Sequence, residues 1–219
     1  YDPSFTLKQA GTTAAMFFGL GSDGTVGANK NTIKIIGEAT DLNTQAYFVY
    51  DSKKSGGLTT SHLRFGKDLI KAPYLIDEAS FIGCHQPQFL GRVEMLDSLS
   101  QGGTFLINSP YGKDEIWQHL PREVQDGLLE KDAKLYVIDA YKVAGEVGMG
   151  RRTNTIMQVC FFALSDVIPT NKAIDLIKKA IEKTYGRKGP KIVAMNCAAV
   201  DAALAYLEPV ELPDAATAE

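Results

Sequence analysis

Cysteine is scarce and scattered in this chain: Cys84, Cys160 and Cys197 are the only three among 219 residues, with no Cys-x-x-Cys pair. That excludes a disulfide framework and points away from an iron–sulfur or zinc site, so electron carriers for any redox chemistry would lie elsewhere. The histidines, three in number, are His62, His85 and His119. The one adjacency of possible metal ligands, Cys84-His85, puts the two side chains on opposite faces of a strand and makes a poor chelate. Ser61-His62 fails as a nucleophilic pair for the same reason and has no identifiable acid partner. No apolar run reaches the roughly 20 residues that span a bilayer, and no charged, then apolar leader opens the chain, so no membrane partner and a cytoplasmic location are expected. Nor does either sign of charge dominate: a net charge of −3 gives no reason to expect nucleic acid.

What remains is the composition of an ordinary globular protein, 45% hydrophobic and 22% charged, long enough for one substantial core. A single α/β domain over residues 1–210 is expected, followed by a linker or tail at 211–219. With Tyr1 at its start, the chain reads as a piece of something longer.

The most informative stretch is Gly19 to Lys30. Thr12 to Phe18 reads as a buried strand, Gly19, Gly21, Gly24 and Gly27 permit a sharp turn and close approach of a ligand, and a helix follows from about Ala28 to Ala39. Strand, glycine loop and helix in that order form a phosphate cradle, because free N–H groups and the dipole at a helix start favour an anion. Gln45 to Tyr50 is a second strand, completing a β-loop-α-β unit. The polar loop Ser52 to Gly57 leads into a further strand from Leu58 to Phe65. Leu90, Val93 and Leu96 have helical spacing stopped by Gly102-Gly103. Thr104 to Pro110 and Lys134 to Ala140 read as strands, while Asp114 to Lys131 is helical and broken at Pro121. Ile156 to Leu164 is a buried helix. A helix capped by Thr170 or Asn171 carries Ile174, Ile177 and Ile181, and a last one runs from about Cys197 to Leu207. The interleaving predicts a three-layer α/β/α domain with a mostly parallel or mixed sheet.

Ligands of such sheets bind beyond the carboxyl ends of the strands, where the glycine loop and Lys53-Lys54 both follow strands. The segment Asp51 to Lys71 holds Lys53, Lys54, Arg64, Lys67 and Lys71 against Asp51 and Asp68, a positive excess suited to a ligand with several phosphates. Gly19, Gly21 and Gly24 also match the dinucleotide fingerprint, with Asp51 as the ribose acid. Yet Asp51 lies beyond the usual distance of about 20 residues and two lysines follow it, which suits NADP or coenzyme A equally. Gly148 to Asn154 is a second glycine–arginine loop opening a helix. Three readings stand at this point: a coenzyme A site, a self-contained NADP-binding oxidoreductase, and a structural module whose glycine loop grips a neighbouring domain.

Several stretches together resemble the pyruvate:ferredoxin (flavodoxin) oxidoreductases of anaerobic and nitrogen-fixing organisms: GLGSDGTVGANK (19–30), DSKKSGGLTTSHLRFG (51–66), GCHQ (83–86), INSPYG (107–112) and IDAYKVAGEVGMGRRTNTIMQ (138–158). The chain is similar to the domain equivalent to the gamma subunit of multi-subunit relatives. That resemblance implies oxidative decarboxylation of pyruvate to acetyl-CoA with reduction of ferredoxin or flavodoxin, in a homodimeric enzyme whose other domains belong to the same polypeptide. It implies thiamine diphosphate and [4Fe-4S] clusters in those other domains, and coenzyme A here. The residues it nominates for coenzyme A are Gly21, Ser22, Asp23, Gly24, Thr25, Val26, Asn29, Lys53, Lys54 and Ser55, with Arg64 and Asn154 as weaker additions. It implies no catalytic residue and no metal ligand in this chain.

Overall fold

The computed structural model describes residues 9–51 and 57–218. Its described strands are β1 (Thr12–Leu20), β2 (Asn43–Tyr50), β3 (Leu58–Gly66), β4 (Ala79–Cys84), β5 (Leu99–Asn108), β6 (Lys134–Ile138) and β7 (Glu208–Val210), and they form one mixed sheet in the order β2-β3-β1-β4-β5-β6-β7. β1, β4, β5 and β6 are parallel; β2, β3 and β7 join antiparallel. The helices are α1 (Thr25–Ala39), α2 (Arg122–Glu130), α3 (Ala140–Glu146), α4 (Asn154–Ser165), α5 (Thr170–Tyr185) and α6 (Pro190–Ala203).

The central strands read as continuous apolar runs because both faces are covered, as is usual for parallel strands. Alternation along β1 sends Ala15 and Phe17 into a core shared with α1, α3, α4, α5 and α6, and Ala14, Met16 and Phe18 into a second core shared with α2 and its neighbouring loops. The three-layer arrangement expected from the sequence is therefore present. Phe161 of α4 anchors the first core, with ring centroids 5.2 Å from Phe17 and 5.1 Å from Phe81, both edge-on, a geometry favoured by the aromatic quadrupole.

Several local expectations are corrected. Leu90, Val93 and Leu96 do not form a helix; short 3-10 turns at Pro87–Phe89 and Leu96–Ser98 bracket Gly91, whose φ of 73° breaks any helical run. Gly102-Gly103 does not end an element. It lies inside β5, where pairing with β4 shifts from Ala79–Leu99 to Phe81–Thr104 and Gly102 takes φ 67°, so the glycines absorb a bulge. Neither Thr170 nor Asn171 caps α5, which starts at Thr170 behind Pro169. The last helix begins earlier than Cys197, with Pro190 at its first turn, a position that needs no N–H donor. Segment 211–218 has no helix or strand. It is held along α2 all the same: the buried Gln125 accepts from the amides of Thr217 and Ala218 at 2.7 and 3.0 Å, and Arg122 donates to the Ala218 carbonyl. No described helix is long and apolar enough to cross a membrane.

Candidate functional site

The parallel strands β1, β4, β5 and β6 end along one edge of the sheet. From β1 the chain leaves through α1 toward β2 and β3 on one side, whereas from β4 it proceeds to β5 on the other. The crevice between the carboxyl ends of β1 and β4 is therefore the switch point at which α/β sheets take their ligands. The glycine loop forms one wall and His85-Gln86 the other.

The loop is braced from within. Asp23 Oδ2 accepts from the Leu20 amide at 2.8 Å and from Gln86 Nε2 at 3.0 Å, while Oδ1 accepts from the Thr25 amide at 2.9 Å. Burial alone would raise the Asp23 pKa, but the hydrogen bonds from Thr25, Leu20 and Gln86 outweigh it and hold the carboxyl below its ordinary value, so it is ionised at neutral pH. Gly19 admits no side chain: a Cβ there would lie 2.4 Å from Thr25 Oγ1. Gly24 has φ 88°, and a Cβ on it would meet the Asn154 side chain at 3.2 Å, which places the start of α4 against the loop.

The first N–H groups of a helix have no intrahelical partner. In α1 the Thr25 amide is taken by Asp23, whereas the amides of Ser22, Gly24, Val26 and Gly27 bond no described residue. These four are the donors that could receive phosphate oxygens. Asn29 is buried one turn further in, and its Nδ2 has no described partner. Lys53, Lys54 and Ser55 lie outside the described residues. Their flanks are placed: Gly57 accepts from the Gly21 amide at 3.1 Å, beside the glycine loop, and Asp51 donates to Leu58 at 3.0 Å, one strand further out.

The rest of the positive segment is not brought here. Arg64 pairs with Ala14 in the register of β1 and β3, about 20 Å along the strand from Leu20, where it donates to Gln45 and lies over the Tyr74 ring. Lys67 follows at that same far end. β3 runs antiparallel and carries both away. It also separates β1 from β2, so Asp51 does not sit on a strand adjacent to β1, as the ribose-binding acid of a dinucleotide fold would.

Sequence reasoning missed most of the opposite wall. His85 is fully enclosed, and its Nδ1 lies 2.9 Å from Thr25 Oγ1. Burial pushes its pKa down to about 4, against a smaller upward pull from Asp23, so the ring is neutral. Asn108 ties the edge together by donating to the His85 carbonyl and accepting from the Ala140 amide. Gln86 uses both ends of its amide: Nε2 reaches Asp23, and Oε1 accepts from the Tyr141 hydroxyl at 3.0 Å. The Arg151 guanidinium stacks on Tyr141, 5.0 Å from the ring centroid. The sequence points to parts of this wall, the glycine–arginine loop Gly148 to Asn154 and the nominated Asn154, but gives His85, Gln86, Asn108 and Tyr141 no role in a ligand site. Cys84 donates its thiol to the Gln86 carbonyl, and full burial pushes its pKa up to about 12, which removes it as a nucleophile at neutral pH.

Residues 14–206 match the protein family described as pyruvate ferredoxin/flavodoxin oxidoreductase. The chain is 58% identical over 213 residues to the pyruvate-flavodoxin oxidoreductase of a Nostoc species, covering 97% of this chain but 18% of that protein. Among solved structures, pyruvate oxidoreductase subunit PORC of Thermotoga maritima superposes with a TM-score of 0.72 at 17% identity, covering 91% of this chain and 99% of that one. A 2-oxoglutarate:ferredoxin oxidoreductase of Magnetococcus marinus, solved with 2-oxoglutarate, coenzyme A and succinyl-CoA bound, superposes with a TM-score of 0.70 at 18% identity, covering 90% of this chain and 31% of that one.

Proposed function

Because the chain belongs to the pyruvate ferredoxin/flavodoxin oxidoreductase family, we propose that it is one domain of a larger polypeptide that oxidises pyruvate, and that this domain holds coenzyme A by its phosphates. In the reaction the bond from the carbonyl carbon of pyruvate to its carboxylate breaks, CO2 leaves and the acyl carbon becomes a thioester with coenzyme A. The electron pair passes to ferredoxin or flavodoxin. Thiamine diphosphate and iron–sulfur clusters would be supplied by the other domains; the three scattered cysteines of this sequence have no cluster-binding spacing.

The observation that carries the reading is the row of amides at Ser22, Gly24, Val26 and Gly27 that bond no described residue, lying at the switch point beside Gly57. The glycine loop would bind phosphate oxygens through the backbone, and the lysines would balance their charge. The separation of β1 from β2 by β3 disfavours a self-contained NADP site. Domains of the same polypeptide would cover the sheet edge, where Tyr47 is 57% and Val49 37% exposed on one face of β2; apolar surface of this kind marks a contact region.

The test is coenzyme A titration in the full polypeptide with Lys53→Ala/Lys54→Ala. Loss of two charge-assisted hydrogen bonds should weaken binding at least ~10-fold. An unchanged affinity would remove the lysines from the site.

A further inference from the structure

We propose that Arg151 is the phosphate-clamping cation of this site, set against the glycine loop by Tyr141 and Gln86. The inference rests on the coenzyme A reading above and assigns that ligand's diphosphate a side-chain partner outside the lysine loop.

Asp23 creates the need. Its ionised carboxylate braces the glycine loop from inside, and a diphosphate on the neighbouring amides would meet that charge. A cation on the open side would offset that repulsion. The described cations nearby divide by what they already do. Lys30, Lys142 and Arg151 each lie over a ring, of Phe48, Tyr206 and Tyr141, and Arg152 donates Nε to the Met149 carbonyl; of the three rings, Tyr141 is the one bonded through Gln86 to Asp23 of the glycine loop. Arg151 is exposed and makes no hydrogen bond or ion pair with any described residue; its contact is the face of Tyr141. Its N–H donors therefore have no described hydrogen-bond partner, and a guanidinium presents them in the planar fork that suits phosphate oxygens.

Two independent connections bring it to the loop. Through side chains, Arg151 rests on Tyr141, Tyr141 donates to Gln86, and Gln86 donates to Asp23. Through the backbone, Arg151 is three residues from Asn154, whose side chain packs against Gly24, so the two Cα atoms are at most about 11 Å apart. Gly148 and Gly150, with φ of 78° and 64°, give the connection between α3 and α4 the turn that this approach needs.

The full polypeptide with Arg151→Ala, Arg151→Lys and Lys53→Ala/Lys54→Ala should be assayed for pyruvate oxidation with coenzyme A and with pantetheine, which has the thiol and no phosphate. For Arg151→Ala the KM for coenzyme A should rise about tenfold with kcat changed far less, Arg151→Lys should recover part of the loss, and the KM for pantetheine should stay unchanged. If Arg151→Ala leaves the coenzyme A KM unchanged, or moves coenzyme A and pantetheine alike, while the lysine variant still raises the coenzyme A KM, the role of Arg151 is refuted and the site stands. If neither variant moves it, the coenzyme A site itself falls and Arg151 with it.

Discussion

Acidification from pH 7 to pH 5 should destabilise this fold mainly through two enclosed histidines. His85 sits under the glycine loop, and burial pushes its pKa down to about 4; His62 on β3, where Nδ1 accepts from the Ile76 amide, is likewise pushed to about 4 by burial and by the Arg64 charge beside it. Each has an ordinary value of 6.5. Between the two values the unfolded chain binds a proton that the folded chain refuses. Stability is therefore full above the unfolded value and falls as pH drops through the window from 6.5 toward 4. Linkage gives a loss of about 2 kcal/mol per histidine by pH 5, and about 4 kcal/mol for the pair. Asp23 acts with the same sign but lower: its depressed pKa contributes stability above the ordinary carboxylate value that disappears only as pH falls below it. Urea unfolding of the 219-residue chain at pH 7, 6, 5.5 and 5 would measure this. His85→Asn should lower stability at pH 7, since it removes the Thr25 contact, and should halve the slope against pH. A free energy flat to within about 0.5 kcal/mol over the interval, or the same slope in His85→Asn, would refute the burial argument.

Three further perturbations probe the framework. Gly19→Ala drives a methyl into Thr25, 2.4 Å away, and should cost about 1–3 kcal/mol by overpacking, read as a lowered urea midpoint at unchanged m-value. Phe161→Ala empties the centre of the first core and should cost about 3–5 kcal/mol; less than about 1 kcal/mol in the same titration would show that the ring cluster is not where the stability lies. Gln125→Ala removes the acceptor of the Thr217 and Ala218 amides and the donor to the Trp117 carbonyl. Segment 211–218 should then be cut much faster in limited proteolysis, with the rest of the chain still resistant.

Much of this protein is legible in its linear pattern. The apolar runs of β1, β5 and β6, the glycine loop opening α1, the break at Pro121 and the amphipathic α5 all follow from side-chain period, backbone freedom and capping, which act over a few residues. Local pattern misled where a residue had two possible uses. Gly102-Gly103 could stop a helix or absorb a bulge, and the partner strand β4 decided for the bulge.

The site itself was decided in three dimensions. Seven basic and acidic residues between Asp51 and Lys71 looked like one patch, but β3 runs antiparallel through them and carries Arg64 and Lys67 to the far end of the sheet. The strand order, with β3 between β1 and β2, comes from pairings that no local window contains. The bonds joining Asp23 to Gln86 and Gln86 to Tyr141 span 63 and 55 residues. Sequence alone determined that there is a glycine loop between a strand and a helix; only the packing of four parallel strand ends beside it decided which distant side chains form its other wall, because hydrogen bonds act over about 3 Å in space regardless of separation along the chain.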